Sequence, residues 1–321
     1  MERERLTARL AGVVAILVTP FDPDGAVDAA AFERLVDRLV DHGVGAITVN
    51  GNTSEFYSLT GSEARRCAEL TVRTVGDRAG VLVGVGHDIA TAVADAQHAR
   101  EIGAELVMVH QPVHPFVSAE GWVDYHRAIA NAVPELGIVP YVRDPALGGE
   151  QLAGLCEAAP NVVGVKYAVP DPVRFASVAR DVGLDRLVWI AGLAEPYAPS
   201  YWTAGATGFT SGLVNVEPSI SLDMLAALEK GDTASAMRVW EKIRRFEELR
   251  GAHRSANNVS VVKEALAQLG LCRPDVRPPI RQLTADERAE VRDVLVSWGL
   301  VPAGAANAEE RHLRRVPSTM T

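Results

Sequence analysis

Short apolar runs alternate with amphipathic stretches along this chain, and the alternation repeats eight times. The runs cover residues 13–18, 46–50, 81–84, 106–110, 137–141, 162–166, 187–191 and 208–210. They are rich in Val and Ile and lack a strict polar alternation, which suits parallel strands covered on both faces. The intervening stretches carry the helical period. In the first, Asp28 is placed to cap a helix whose apolar stripe is Phe32, Leu35, Val36, Leu39 and Val40, and Gly43 ends it. The second opens on a capping box, Thr60-Gly-Ser-Glu63. Eight such units within about 220 residues predict the α/β class and a (β/α)8 TIM barrel rather than an open doubly wound sheet. None of the turns Gly84-Val-Gly86, Gly148-Gly149 and Gly205-Ala-Thr-Gly208 makes a GxGxxG fingerprint, which disfavours a dinucleotide fold.

After about residue 230 the pattern turns to helices only: 234–249, 261–269, and a third from the capping box Thr284-Ala-Asp-Glu287 to about residue 298. The predicted organisation is a catalytic barrel over 1–230, a C-terminal helical appendage over 231–300 packed on it, and a disordered tail over 301–321. The tail is Ala/Glu/Arg/Ser-rich and has no periodicity.

Of the 321 residues, 48% are hydrophobic and 23% charged, with a formal net charge of −9. The only basic cluster is Arg311-His-Leu-Arg-Arg315, so a nucleic-acid partner is not expected. Cys67, Cys156 and Cys272 are far apart and odd in number, which points to a reducing compartment rather than a disulfide framework. Residues 1–11 alternate charges without a secretory apolar region, and no apolar run reaches the roughly 18 residues of a membrane span. A cytoplasmic chain without membrane contact is the expectation.

Four lysines stand against twenty-eight arginines. Lys230, Lys242 and Lys263 fall in polar, helix-like stretches. Lys166 instead ends the apolar run Asn161-Val-Val-Gly-Val-Lys166-Tyr-Ala. A buried cation is costly unless it is paired or neutral. Paired with a carboxylate, Lys166 would be structural; neutral, it would be a nucleophile able to form a Schiff base. In a barrel of this type the strand carboxyl ends open onto the active-site face. Those ends also carry Asn52, Thr53 and Ser54, then Tyr141 and Arg143, and finally Thr210 and Ser211. An amine, a phenol and a hydroxyl-bearing turn, without metal ligands, suit imine chemistry on an α-keto acid. The phenol would relay protons and the turn would hold a carboxylate. Neither a metal nor another cofactor is expected. His42, His87, His98, His110 and His126 have no second ligand at metal spacing and read as structural. His114 sits on a loop that should border the site, and Glu55 reads as a brace for its turn.

From about Gly12 to about Trp298 the sequence resembles the dihydrodipicolinate synthase / N-acetylneuraminate lyase family. The likeness lies in Leu17-Val-Thr-Pro-Phe21 with Asp24-Gly25 and Asp28, in Gly51-Asn-Thr-Ser-Glu55, in Tyr141 and in Gly164-Val-Lys166. The resemblance implies a (β/α)8 lyase and a homotetramer. It assigns Lys166 as the Schiff-base lysine and Tyr141 as the catalytic tyrosine. Asn52 and Thr53 then stand at the C1 carboxylate, with Arg143, Ser211 and His114 as further substrate-binding candidates. Two departures bear on the substrate. Asn52 stands where the synthase has a relay threonine and His114 where it has a second tyrosine, and the synthase's arginine is matched by about Ala146. Glu55-Phe-Tyr-Ser-Leu59, Tyr141-Val-Arg143 and Val276-Arg-Pro-Pro279 are similar to 5-dehydro-4-deoxyglucarate dehydratases. The resemblance therefore implies a dehydratase of a keto-deoxy sugar acid. The alternatives are a sugar-acid aldolase releasing pyruvate, a synthase-like condensation, and a keto-acid-binding paralogue without activity.

Overall fold

In the computed structural model of the chain, residues 2–303 are described. Eight strands close into a parallel barrel in chain order: β1 (Gly12–Ile16), β2 (Ala46–Val49), β3 (Gly80–Val85), β4 (Leu106–Val109), β5 (Gly137–Val142), β6 (Gly164–Tyr167), β7 (Val188–Ala191) and β8 (Gly208–Ser211). β8 returns to pair with β1. All eight expected strands are present, and their ends lie within two residues of the expected ones. Every strand residue is buried, as uniformly apolar runs require.

Alternate residues divide between two cores. Val14, Ala46, Leu82, Met108, Val139 and Ile190 fill the barrel interior. Their neighbours face a ring of helices: α2 (Ala29–Asp41), α3 (Gly61–Val75), α4 (Ile89–Glu101), α5 (Ala119–Ala132), α6 (Gly149–Ala158), α7 (Pro172–Val182), α8 (Ala198–Ala204) and α9 (Pro218–Glu229). They follow a first helix, α1 (Glu2–Leu10). Asp28 accepts the Ala31 N–H at 3.0 Å and so caps α2, whose Phe32, Leu35, Val36, Leu39 and Val40 are all buried as their spacing predicts.

Helix α1 was not expected. Its charged residues mask the only apolar pair, Leu6 and Leu10, which stand one turn apart and enter the interior core. The helix plugs the N-terminal end of the barrel, away from the strand carboxyl ends.

Beyond the barrel run α10 (Thr233–Ser255), α11 (Asn258–Gln268) and α12 (Ala285–Ser297). They cover the three helices expected after residue 230. Helix α10 is regular only as far as Gly251: Ala252 is extended, and His253, Arg254 and Ser255 have positive φ of 54, 59 and 67°. Lys263, in one of the polar, helix-like stretches, is fully buried on α11 in an ion pair with Glu55. From residue 304 on, the expected disordered tail and its basic cluster lie outside the described residues. No helix among the described residues is long and apolar enough to cross a membrane.

Candidate active site

Strand register sets the first pair. Tyr141 on β5 lies directly opposite Lys166 on β6, so the two side chains leave neighbouring strands toward the same side of the sheet. The Lys166 amine stands 4.1 Å from the centre of the Tyr141 ring. No carboxylate pairs with Lys166 among the described residues. Burial, with a further contribution from the Arg143 charge, pushes its pKa down to about 7. The ion-pair role open to this lysine is therefore taken by Lys263 instead. Lys166 is left as an amine that is neutral in a substantial fraction of molecules near pH 7.

Tyr141 is buried, which raises its pKa, while Arg143 and a hydrogen bond from Asn52 act against that rise. The Asn52 Nδ2 group donates to the Tyr141 hydroxyl at 3.4 Å. Asn52 Oδ1 is buried without a partner among the described residues, which leaves an acceptor beside the phenol. Asn52 and Thr53 line the same cavity as Lys166, Tyr141 and Arg143, a space of about 580 Å³ at the carboxyl ends of the strands.

The turn that presents Asn52 and Thr53 is held from all sides. It lies between Asn50 and Glu55, both with left-handed φ of 58 and 63°. The Asn50 amide donates to the Ala64 carbonyl at 2.9 Å, and the Asn50 carbonyl accepts from His110 Nε2 at 2.8 Å. That carbonyl runs so close to β3 that a Cβ on Gly84 would lie 2.2 Å from its oxygen, so only glycine fits there. The Ser54 hydroxyl accepts the Gly51 N–H at 3.0 Å, and the Thr19 hydroxyl donates to the Ser54 carbonyl at 2.8 Å. Glu55 acts as the brace expected of it, accepting from Lys263 Nζ and, at 2.9 Å, from the Arg277 backbone N–H.

The remaining candidates separate. Arg143 borders the cavity and also a shallower depression outside it, and its guanidinium has no carboxylate partner among the described residues. His114 lines only that outer depression. It is exposed, and its Nδ1 accepts the Phe116 N–H at 3.1 Å. Ser211 is a correction. It ends β8, and its alternation turns the hydroxyl away from the cavity, where it accepts the Val214 N–H at 2.9 Å and meets Ser221 at 3.2 Å. Thr210, one residue earlier, faces the cavity instead. His110 is a neutral pillar: burial pushes its pKa down to about 3, and its ring stacks 4.2 Å from Phe56. His42 and His126 bond to helix carbonyls.

Sequence reasoning missed the wall opposite the Asn52 turn. Glu247, Arg250, Gly251 and Ser255 of α10 and Asn258 of α11 reach the cavity. Their placement depends on the break in α10, which no local motif announces. No three His, Cys, Asp or Glu side chains converge among the described residues in a way that could hold a metal ion.

The arrangement offers a neutralisable amine, a phenol whose ring lies against it, a hydroxyl and amide turn, and a cation without a carboxylate partner among the described residues, all around one cavity. The same architecture recurs in solved structures. That of a dihydrodipicolinate synthase from Bacillus clausii superimposes with a TM-score of 0.88 at 40% identity, covering 92% of this chain and 99% of that one. Among curated relatives, a 4-hydroxy-tetrahydrodipicolinate synthase of Phenylobacterium zucineum is 35% identical over 90% of this chain and 98% of its own length. A protein named "Probable 5-dehydro-4-deoxyglucarate dehydratase", from Rhizobium rhizogenes, is 30% identical over 88% and 94% respectively. The family model for the dihydrodipicolinate synthetase family matches residues 9–297. With nearly the whole described barrel and its helices inside that match, the chain belongs to the dihydrodipicolinate synthetase family of lyase-type enzymes.

Proposed function

We propose that the chain is a Schiff-base lyase acting on an α-keto acid, and specifically on a keto-deoxy sugar acid. The observation that carries this reading is the unpaired, buried Lys166 amine beside Tyr141 at a cavity large enough for a six-carbon acid. Neutral Lys166 attacks the C2 carbonyl, and loss of water gives the protonated imine. Tyr141 is the group placed to carry protons in that step. Asn52 and Thr53 hold the C1 carboxylate, and Arg143 offers a cation to a second carboxylate or a hydroxyl. The imine then serves as electron sink: proton loss at C3 gives an enamine, which can expel hydroxide from C4 as water. Aldol cleavage of C3–C4 would use the same sink.

Dehydration is favoured over condensation by the residues around Tyr141. An amide at Asn52 cannot exchange a proton as a relay hydroxyl does at neutral pH. His114 lies outside the cavity, where it cannot restore that relay. The condensation reading keeps support in the higher identity to the Phenylobacterium and Bacillus relatives. A homotetramer, which the resemblance implies, has support in the exposed apolar residues Val113, Phe116 and Val117 on the His114 loop.

The experiment runs pyruvate plus aspartate semialdehyde against a series of keto-deoxy sugar acids on one protein sample, following water loss and pyruvate release separately. Turnover of a sugar acid with little condensation is expected. Condensation at the ordinary enzymatic scale of roughly 1–10³ per second, with no sugar-acid turnover, would overturn the substrate assignment.

A further inference from the structure

Past Lys166 the cavity runs beneath the break in α10 and ends on a polar wall that the imine chemistry leaves unused. Its centre is Arg250, whose side chain is 7% exposed. Arg250 Nη1 donates to both oxygens of Glu247, at 2.7 and 2.9 Å. Its Nε and Nη2 donate to Asn258 Oδ1 at 3.2 and 2.6 Å. The guanidinium lies flat against the chain just after β8. A Cβ on Gly212 would fall 2.5 Å from Nη2 and 3.1 Å from Cζ, so a side chain at Gly212 would drive the arginine out.

The backbone is bent to make this contact. After Gly251 the helix is given up, and three consecutive residues take left-handed φ, a conformation that residues with a side chain rarely adopt. The bend brings Asn258, the first residue of α11, back onto the guanidinium of Arg250 eight positions earlier.

The charge of Arg250 is matched by Glu247, and that of Arg244, also on the cavity wall, by Glu241 and Glu248, so the wall has no unmatched cation to offer a second carboxylate. An anion placed there would also face Glu247. What remains unspent is mixed: the Asn258 Nδ2 group has no protein partner among the described residues, the Glu247 oxygens keep lone pairs, and the Thr210 hydroxyl on the cavity wall, which donates to the Ala191 carbonyl at 3.4 Å, can still accept. Hydroxyl groups, each a donor and an acceptor, match such a surface. An apolar tail would leave it desolvated and unpaired.

We propose that Glu247, Arg250 and Asn258 form the subsite that reads the hydroxyl-bearing tail of the substrate, which makes them specificity determinants for a polyhydroxylated keto acid over a short or apolar one. The assignment rests on the reading of Lys166 as the imine-forming amine, because that amine fixes which end of the substrate points toward the wall.

The test is calorimetric binding of 2-keto-3-deoxygluconate, pyruvate and 2-oxohexanoate to the wild type and to Asn258→Ala and Glu247→Gln. The wild type is expected to bind the sugar acid more tightly than 2-oxohexanoate. In Asn258→Ala the sugar-acid preference over pyruvate should fall roughly 10-fold, the scale of one or two lost hydrogen bonds, and in Glu247→Gln by up to roughly 100-fold. If Glu247→Gln fails to fold because Arg250 loses its partner, Asn258→Ala and the wild-type comparison with 2-oxohexanoate still decide. An unchanged preference in Asn258→Ala, or equal wild-type affinity for the sugar acid and 2-oxohexanoate, overturns the subsite. Failure to trap pyruvate on Lys166 by borohydride would instead sink the imine reading, and with it the substrate orientation on which the subsite rests, whatever the variants do to the preference.

Discussion

The reactivity of Lys166 near neutral pH is the sharpest consequence of the site. An ordinary lysine, with a pKa of 10.5, is neutral in about one molecule in three thousand at pH 7. Burial lowers the Lys166 value to about 7, which raises the neutral fraction to about one half, a gain of roughly 10³ in available nucleophile. Initial rates of pyruvate trapping with cyanoborohydride, read by mass on the peptide containing Lys166, should therefore rise through a midpoint near pH 7 and level off about one unit above it. Arg143→Gln removes the weaker of the two causes and should move the midpoint upward, while desolvation keeps it well below that of a free lysine. The same shift sets a stability effect with a definite sign. The unfolded chain binds the extra proton between about pH 7 and 10.5, so the burial penalty is full below pH 7 and fades as pH rises through that window. Lys166→Met should accordingly be more stable than the wild type at pH 7, by about 4 kcal/mol at most. A trapping midpoint near 10, or labelling at Lys230 or Lys242, would refute the reasoning.

Three further outcomes follow from the same contacts. Tyr141→Phe keeps the buried ring and removes the hydroxyl, so thermal stability should hold while turnover falls roughly 10²–10⁴-fold; near-normal turnover would take the proton role away from Tyr141. Lys263→Met leaves the Glu55 carboxylate buried without its cation, which should cost about 3–5 kcal/mol in denaturant unfolding and weaken the carboxylate binding proposed for Thr53. Glu195 is fully buried, and burial with the neighbouring Glu247 charge pushes its pKa up to about 7; the folded state holds the extra proton, so wild-type stability should fall between about pH 4.5 and 7, and Glu195→Gln should flatten that fall in a series of melting curves.

The barrel was legible in the sequence because its strands are buried on both faces, so each appears as an uninterrupted apolar run of the right length between capped helices. The same burial made Lys166 conspicuous as the one lysine ending such a run. Ser211 misled because β8 runs one residue past its apolar core, so Ser211 obeys the strand's alternation instead of lying in the loop: Thr210 points in and Ser211 points out. His114 sits on the expected loop, yet the loop holds it over the outer depression. Lys263 and Arg250 were hidden for a different reason. Arg250 is buried only because the break in α10 folds Asn258 back onto it, and Lys263 lies in a polar helical stretch yet is buried by a partner far away in the chain. Glu55 is 208 positions from Lys263, and no local pattern encodes such a contact.

Those two partnerships change what the C-terminal helices are. Through Lys263, α11 grips Glu55 and so fixes the turn that carries Asn52 and Thr53. Through Glu247 and Arg250, α10 closes the opposite end of the same cavity. Arg277, on the segment after α11, adds a third tie: it bonds Glu63 at the start of α3 and gives its backbone N–H to Glu55. A helical region that merely covered the barrel would need apolar contact and nothing more. Here it carries three charged anchors, each buried or half-buried: Lys263 and Arg277 end on Glu55 and Glu63 of the barrel, and Arg250 pairs with Glu247 within α10 on the cavity wall. Charges are costly to bury unless paired, and a packing role alone would be met as well by leucine. The distribution of these anchors is better accounted for if the barrel supplies the reacting groups while the helices beyond residue 230 set the length and polarity of the space around them.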